Sequence, residues 1–375
     1  MTLTIESYAA AEAEGLAAVS NIERAAFAPS TFTELNCPVS VAVESDLLRF
    51  VDSMHEFSAG DYFKADCPLS PDEADLIRRV GDHVVAWTAA HLGRAVRPWV
   101  APLSAVEMFR VVSATARALG KDRLTVLEIG PGSGYLGALL HLAGHRHISM
   151  DNTQAYYLWQ NRLYGSLAGD GFAELADPAA PLVDDPAKTM VHLPWWRFAQ
   201  LHDAGFPFAV DLVVCDHALN EIDTVALRYI LRACHAMLSR VEDGMLLFCG
   251  AGHGQKRREP QLFREFDRAG FSALFKRLFY GVGLKGGRLD PLAIPAGQVT
   301  ATDRWTRARI LLRRRALAAR FPALLALDAA VPRHNPSGRP GTVRPAACVP
   351  IRRAEAPPGY GFVAAAGYFV PPFSE

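Results

Sequence analysis

Apolar residues follow two different spacings along the chain. Up to about residue 120 they recur every three or four positions, as in amphipathic helices. The clearest start signal is Ser70-Pro71-Asp72-Glu73, because a serine cap, a proline in the first turn and early acids all suit a helix N-terminus. The first part of the chain is therefore predicted to be a helical region covering residues 1–120.

From Leu124 onward, short apolar runs alternate with helical stretches. This alternation is typical of a parallel sheet that is covered by helices on both faces. We predict strands at LTVLEI, HISM, KTMVHL, VDLVVCD, GMLLFCG and FSALFKRLFY, with helices near residues 134–143, 153–166, 223–239 and 260–269. Residues 121–285 are therefore expected to form a doubly wound α/β core.

The last part of the chain, residues 286–375, is rich in Gly, Pro and Arg and is expected to be an extension of that core. Residues 304–327 have the spacing of a basic amphipathic helix, whose charges we interpret as a solvated face. Residues 332–345 are expected to be an irregular connection. The stretch YGFVAAAGYFV, residues 360–370, is predicted to return to the sheet as a strand.

Composition narrows the class of function. Half of the 375 residues are hydrophobic, which is enough for a sizeable core and argues against a disordered chain. Lys plus Arg and Asp plus Glu both number 39, so no global basic field favours nucleic acid or an anionic membrane, and a small-molecule substrate fits best. The six cysteines include no Cys-x-x-Cys pair, the first residues lack the pattern of a signal peptide, and no run of about eighteen residues is wholly apolar. We expect a cytoplasmic protein that binds neither nucleic acid nor membrane.

The most informative short segment, TVLEIGPGSGYLGALL, contains two overlapping glycine patterns. A glycine turn between a strand and a helix lets the backbone approach a ligand and points free helix N–H groups at it. The spacing Gly130-x-Gly132-x-Gly134 suits the loop that holds S-adenosylmethionine. The spacing Gly132-x-Gly134-x-x-Gly137 is instead the dinucleotide fingerprint of a hydride-transfer enzyme.

Three neighbouring features favour the first of these spacings. The predicted strand ends immediately before Gly130, so the turn begins there and leaves Gly137 as a packing residue of the next helix. The carboxylate of Glu128 suits the α-amino group of an amino-acid-like ligand but would repel a pyrophosphate. Pro131 lacks an N–H group, which is a poor choice in a phosphate-binding loop. S-adenosylmethionine is therefore the predicted cofactor.

This segment resembles the first motif of the class I, Rossmann-like S-adenosylmethionine-dependent methyltransferases, through the run Glu128-Ile129-Gly130-Pro131-Gly132-Ser133-Gly134. The resemblance covers about residues 120–280 and implies a mostly parallel, seven-stranded sheet. It also implies that an acid at the end of the next strand bonds the ribose hydroxyls. Asp151 stands there, and we include Asn152 beside it among the cofactor contacts. An alternative role for Asp151 is to cap a helix that starts near Thr153. Asp151 also does not distinguish S-adenosylmethionine from a dinucleotide, because both contain ribose.

The family often places an acid after the third strand, where it reads the adenine amino group. The corresponding segment here is VHLPWWRF, which contains no acid. A backbone carbonyl would then replace the acid, with Leu193 or Trp195 packing on the adenine ring. The alternative is that the two tryptophans are core residues.

The candidate chemistry lies in DHALNEID, after the fourth predicted strand. Because ligands of open α/β sheets lie beyond the carboxyl ends of the strands, Asp216 is expected to face the cofactor and His217 to act as the general base. Asp216 or Glu221 would orient that histidine, and His253, in CGAGHG after the fifth strand, is a second candidate base. The alternative is that Glu221 caps the following helix and that His217 only lines the pocket.

A metal is not expected at this site. The resemblance of Asp216-His217 to catechol-type O-methyltransferases raises the question, because those enzymes complete a magnesium site with an Asp-Asn pair after the next strand. CGAGHG contains no such pair. We therefore predict chemistry without a metal ion.

Together these features predict an enzyme that transfers a methyl group from S-adenosylmethionine to a hydroxyl of a small-molecule acceptor, by in-line displacement. The element HALNEI is also similar to a segment of bacterial sugar O-methyltransferases. The helical region of residues 1–120 is expected to act as a lid or as the surface of a homodimer. Three alternatives stay open: N- or C-methylation of a small metabolite, an NAD(P)-dependent oxidoreductase, and a non-catalytic cofactor-binding protein.

Overall fold

The computed structural model describes the chain over residues 3–27, 40–52, 69–98, 100–216, 218–220, 222–241, 243–249, 259–278, 288–295, 361–363 and 368–370. Within the first 120 residues the described parts are mainly helical, as the apolar spacing predicted. The helices are α1 (Ile5–Ala18), α2 (Asn21–Phe27), a 3₁₀ helix (Glu44–Phe50), α3 (Pro71–Leu92) and α4 (Val100–Leu119).

The start of α3 shows how local chemistry fixes a helix boundary. Ser70 Oγ accepts a hydrogen bond from the backbone N–H of Glu73 (3.2 Å), and the Glu73 carboxylate accepts one from the backbone N–H of Ser70 (2.8 Å). This reciprocal capping satisfies two donors that would otherwise lack partners. The same carboxylate accepts two bonds of 2.6 Å from the Arg110 guanidinium, so the cap of α3 also holds α4 beside it.

The residues after Leu124 form a single large sheet. Its strands are β1 (Thr125–Ile129), β2 (Arg146–Asp151), β3 (Phe172–Glu174), β4 (Met190–Pro194), β5 (Leu212–Asp216), β6 (Met245–Cys249), β7 (Phe271–Leu278) and β8 (Arg288–Pro295). Their order is β3-β4-β2-β1-β5-β6-β8-β7. Strands β1 to β6 are parallel, whereas β8 is antiparallel to both β6 and β7. The connecting helices are α5 (Tyr135–Leu142), α6 (Gln154–Ala168), α7 (Trp195–Ala204), α8 (Thr224–Leu238) and α9 (Glu259–Ala269).

This is the α/β arrangement that the alternation predicts, but the sheet contains two strands that the sequence pattern did not indicate, β3 and β8. Seven strands are expected, and the described sheet has eight. The three-residue strand β3 adds to β4 at one edge, and it is too short to show an apolar alternation in the sequence. Strand β8 also escapes the sequence pattern, since Pro291 and Pro295 are unusual in a strand.

The C-terminal stretch at residues 360–370 does not join the large sheet. Its strands β9 (Gly361–Val363) and β10 (Tyr368–Val370) pair with each other as an antiparallel ribbon. The prediction that this stretch returns to the sheet is therefore wrong, because strands so close in sequence pair locally at a low cost in chain entropy. The predicted helix over 304–327 and the connection over 332–345 lie outside the described residues.

Apolar side chains cover both faces of the sheet. Val126 and Leu127 point to opposite faces of β1, and both are buried. Burial of each such side chain contributes roughly 1.5–3 kcal/mol. Helix α1 packs against α6 and α7, and α2 packs against α8, so the N-terminal helices lie on the helices that follow β2, β4 and β5. In the described ranges, no helix combines the length and the apolar character needed to cross a bilayer.

Candidate functional site

The turn after β1 has the backbone that a glycine-rich ligand loop needs. Gly130, Gly132 and Gly134 have φ angles of 69°, 55° and 80°, in a left-handed region that other residues rarely adopt. The N–H of Gly130 donates to the carbonyl of Met150 on β2 (2.9 Å). A Cβ placed on Gly132 would have no neighbour within 4 Å. One side of this glycine turn (residues 130–134) is therefore open for a ligand.

Gly137, which belongs to the competing dinucleotide spacing, lies inside α5 and packs on the sheet. A Cβ at this position would lie 2.3 Å from Cε1 of His147 on β2, so no side chain fits. A packing glycine of this kind serves both glycine patterns, so it does not separate them. The position at which the turn starts separates the two patterns, because the backbone leaves the strand at Gly130 and not at Gly132.

Asp151 ends β2 beside the glycine turn and is only 5% exposed. Its Oδ1 accepts from the backbone N–H of Thr153 (2.9 Å), and its Oδ2 accepts from Nε2 of Gln160 (2.7 Å). The two predicted roles, helix cap and ribose ligand, are compatible because each oxygen keeps a second lone pair. Burial raises the pKa of Asp151 to about 6, so the carboxyl is mostly ionised at neutral pH.

Gln160 of α6 connects Asp151 to the glycine turn. Its Nε2 also donates to the carbonyl oxygen of Gly132 (2.6 Å), and the side chain is fully buried. One amide therefore holds the carboxylate and the turn together. Sequence reasoning missed this residue because a polar residue in mid-helix normally faces solvent. The available signal is its setting in AYYLWQNRLY, where aromatic and aliphatic residues flank it on both sides.

Glu128 is buried below the turn, with 3% of its surface exposed. Its Oε2 lies 2.8 Å from Nε2 of His147. Burial raises the pKa of Glu128, the bond to His147 lowers it, and the negative charge of Asp216 raises it further. The structure thus shows the Glu128 side chain held by His147, and its contact with a ligand amino group stays a prediction.

Four residues form a polar row across one face of the sheet. The strand register places Glu128 beside Ser149, Ser149 beside His192, and His192 beside Glu174. At the far end, His192 Nδ1 lies 2.8 Å from Glu174 Oε2, and His192 Nε2 lies 3.1 Å from Gln160 Oε1. Sequence reasoning missed the row because it depends on strand order and register. Its signal is a polar residue inside each of several apolar strands.

Asn152, Leu193 and Trp195 lie where the N-terminal helices meet the sheet. Asn152 Nδ2 donates to the carbonyl of Phe27 at the end of α2 (2.9 Å). The Trp195 ring stacks on that of Phe27, with centroids 5.6 Å apart and planes at 16°, and Leu193 has no exposed surface. Both Leu193 and Trp195 therefore occupy packed surroundings, as in the core alternative. Their contact with adenine stays a prediction.

The candidate catalytic residues lie partly outside the described chain. Asp216 ends β5 and is half-buried. A Cβ built on Gly130 would lie 2.9 Å from Cβ of Ala218, so the segment after β5 borders the glycine turn. Three candidates lie outside the described residues: His217, Glu221 and His253. In the part of the chain that the structure covers, no three His, Cys, Asp or Glu side chains are grouped so as to hold a metal ion.

Comparison with known proteins gives matches in solved structures alone. No family model and no curated protein matches the chain. A ribosomal protein L11 methylase from Lactobacillus delbrueckii subsp. bulgaricus is 19% identical, with 49% of this chain and 75% of that one covered and a TM-score of 0.31. A TehB-like SAM-dependent methyltransferase from Corynebacterium glutamicum is 14% identical, with 58% and 98% covered and a TM-score of 0.34.

A third solved structure is the magnesium protoporphyrin IX methyltransferase from Synechocystis PCC 6803 with bound SAM. It is 12% identical, with 61% of this chain and 98% of that one covered and a TM-score of 0.34. All three proteins are named as methylases or methyltransferases. At TM-scores this low, the likenesses by themselves assign no activity.

Proposed function

We propose that this chain is a class I S-adenosylmethionine-dependent methyltransferase that methylates a hydroxyl of a small molecule. The observation that carries the proposal is the bridge made by Gln160, which joins an open glycine turn to the carboxylate of Asp151. A turn that lets backbone approach a ligand and a carboxylate for a cis-diol are the two elements required by a nucleoside joined to an amino acid.

The charges around the turn favour a cationic ligand over a dinucleotide. The negative charges of Glu128 and Asp216 interact, and Asp151 adds a third carboxyl group at the same end of the sheet. S-adenosylmethionine carries a sulfonium and an ammonium group, which such a field attracts, whereas a pyrophosphate would be repelled. Pro131 also removes a backbone donor that a phosphate would use. These features support a methyltransferase over an NAD(P)-dependent oxidoreductase.

When bound, S-adenosylmethionine supplies a methyl group on a positively charged sulfur, open to in-line attack. The residues of this chain then hold the cofactor, position the acceptor and remove its proton. Asp151 accepts the ribose hydroxyls, and Asp216 borders the reacting end of the site. We assign His217 as the general base, oriented by Asp216 or Glu221, with His253 as the second candidate.

The N-terminal helices are proposed to close the acceptor site as a lid and to supply a homodimer surface. The contacts of Phe27 with Asn152 and Trp195 support the lid, because they place the end of α2 near the carboxyl ends of β2 and β4. An enclosed site suits a small-molecule acceptor. A histidine base suits a hydroxyl, which is why O-methylation is preferred to N- or C-methylation.

Calorimetric titration separates the proposed cofactor from its competitor. The wild-type chain is expected to bind S-adenosylhomocysteine and to give no heat with NAD or NADP. Gly132→Ala should abolish that binding, because its methyl group enters the open side of the turn. Gly144→Ala is the matched control, since Gly144 also has a positive φ (90°) and open surroundings but lies beyond α5. Binding of NAD(P) without S-adenosylhomocysteine would overturn the proposal.

Turnover identifies the acceptor class. With S-adenosylmethionine present, a panel of small hydroxyl compounds is expected to release S-adenosylhomocysteine, while matched amines do not. Release of S-adenosylhomocysteine with amines alone would show that the acceptor atom is nitrogen and not a hydroxyl oxygen. Cofactor binding without turnover of any acceptor would favour a non-catalytic binding protein.

A further inference from the structure

The amide of Gln160 can adopt only one orientation. Its Nε2 lies within hydrogen-bond distance of two acceptors, the Gly132 carbonyl (2.6 Å) and Asp151 Oδ2 (2.7 Å). An amide oxygen in that place would face both acceptors and bond neither. The NH₂ group therefore points to Gly132 and Asp151, and Oε1 points to His192 Nε2, 3.1 Å away. Because Oε1 can only accept, that nitrogen of His192 carries a proton.

The other nitrogen of His192 faces Glu174, whose carboxylate is surrounded by donors. Oε1 of Glu174 accepts from the backbone N–H of Ala176 (2.9 Å) and from the hydroxyl of Tyr157. Oε2 accepts from Nδ2 of Asn161 (2.7 Å). A carboxylate that receives donors on both oxygens is stabilised in its ionised form.

The orientation of Asn161 is also fixed. Its Oδ1 accepts from the backbone N–H of Leu3 (3.1 Å) and from the guanidinium of Arg162 (2.7 Å), so its NH₂ group must face Glu174. Glu174 is then an ionised acceptor 2.8 Å from His192 Nδ1, and that nitrogen carries a proton as well. His192 therefore has a proton on both nitrogens.

The surroundings of His192 suit a buried cation. The Tyr157 ring stacks on its face, with centroids 3.6 Å apart and planes at 17°. The titratable groups around it are Glu174 on β3, Asp151 on β2, and Tyr157 and Tyr164 on α6. Burial raises the pKa of both tyrosines, so the two carboxyl groups are the negative charges that balance the imidazolium.

We propose that His192 is a buried imidazolium and that, through Gln160, it holds Asp151 and the glycine turn in the geometry that the ribose of the cofactor requires. Gln160 and His192 are thus positioning residues, which act through Asp151 and do not touch the ligand. The identity of the ligand rests on the proposed function. The proton state of His192 does not, because it follows from the hydrogen bonds alone.

The proton state is tested by nitrogen NMR on the full chain without cofactor. With ¹⁵N-labelled histidine, His192 is identified as the signal lost in His192→Gln among the signals of the 12 histidines. At pH 7 the shifts of both its nitrogens are expected to be those of an imidazolium. A neutral imidazole pattern at pH 7 would overturn the proposal.

The positioning role is tested by cofactor affinity. Gln160→Leu keeps the side-chain volume but removes three hydrogen bonds, to Gly132, Asp151 and His192, and should weaken binding of S-adenosylhomocysteine by about tenfold or more. Gln154→Leu is the matched control on the same helix, because the Gln154 amide oxygen accepts from Val41 N–H and lies apart from this network. Its affinity should equal that of the wild type.

The two proposals fail in different ways. Wild-type affinity in Gln160→Leu would overturn the positioning role and leave the proposed function intact. A wild-type chain that does not bind S-adenosylhomocysteine would refute the proposed function and with it the ribose-positioning role, while the NMR shifts would still decide the proton state of His192.

Discussion

Two buried histidine–glutamate pairs, His147 with Glu128 and His192 with Glu174, have the same length but different surroundings. In each pair a histidine nitrogen lies 2.8 Å from a glutamate oxygen, and both histidines are fully buried. The second nitrogen of His192 faces Gln160, whereas Nδ1 of His147 has no hydrogen-bond partner among the described residues. A proton on that buried Nδ1 would be unsatisfied, so we infer a neutral His147, in contrast to the imidazolium proposed for His192.

This difference places charge where the proposed cofactor needs it. The opposite charges of Glu174 and the proposed His192 imidazolium cancel, so this pair can hold Gln160 and Asp151 in place without adding a net charge to the site. The Glu128–His147 pair keeps one negative charge when Glu128 is ionised, directly below the glycine turn. Under the proposed function, the Glu174–His192 pair would position Asp151 and the Glu128–His147 pair would attract a cationic ligand.

Removing the charge of Glu174 is expected to have the largest effect on stability. In Glu174→Gln the imidazolium of His192 loses its partner and several donors lose an ionised acceptor, so the free energy of unfolding should fall by about 3–5 kcal/mol. Glu128→Gln is the matched variant, and it should cost less than about 1 kcal/mol because the new amide oxygen still accepts from neutral His147. Urea unfolding measures both. Equal losses would show that the two pairs carry the same charge.

A smaller effect is expected from crowding His147. In Gly137→Ala the new methyl group would lie 2.3 Å from Cε1 of His147, so the ring or the helix must shift, at a cost of about 1–3 kcal/mol in thermal or urea unfolding. Gly165→Ala is the control, since a Cβ there meets Phe172 at an ordinary 3.4 Å and alanine favours the helix. Equal stability of the two variants would show that α5 does not pack closely on the His147 ring.

The smallest effect concerns the pH dependence of cofactor binding. Burial raises the pKa of Asp151 to about 6, so the carboxyl is protonated below that pH and loses acceptor capacity for the ribose hydroxyls. Affinity for S-adenosylhomocysteine should therefore fall by roughly tenfold between pH 7 and pH 5. Asp151→Asn should bind weakly at both values. A wild-type affinity that rises on acidification would contradict the role of Asp151.

Several elements of the fold and the site could be read from the sequence because their chemistry is local. A strand that ends at a glycine, an acid at the end of the next strand and the capping box of α3 each involve residues within a few positions of one another. Gln160 and Glu174 could not be read in this way. Their roles require β3, a strand of three residues, to lie beside β4, and they require α6 to pack over that edge.

The same reasoning explains what the sequence predicted incorrectly. The pattern at residues 360–370 indicates strands, but it does not say which strand each will pair with, and the local ribbon of β9 and β10 was therefore missed. For Trp195 the sequence leaves two interpretations open, and its contact with adenine stays a prediction. An aromatic residue after a strand suits either a ring-binding wall or a core, and only its contact with Phe27 reveals how it packs.

A crystal structure of the chain with S-adenosylhomocysteine tests whether the glycine turn and Asp151 form the cofactor site. We expect the ribose hydroxyls to bond the carboxylate of Asp151, the amino-acid end to lie on the open side of Gly132, and Gln160 to keep its bonds to both residues. A ribose that lies away from Asp151, or a ligand bound elsewhere on the chain, would show that this turn and this carboxylate do not form the cofactor site.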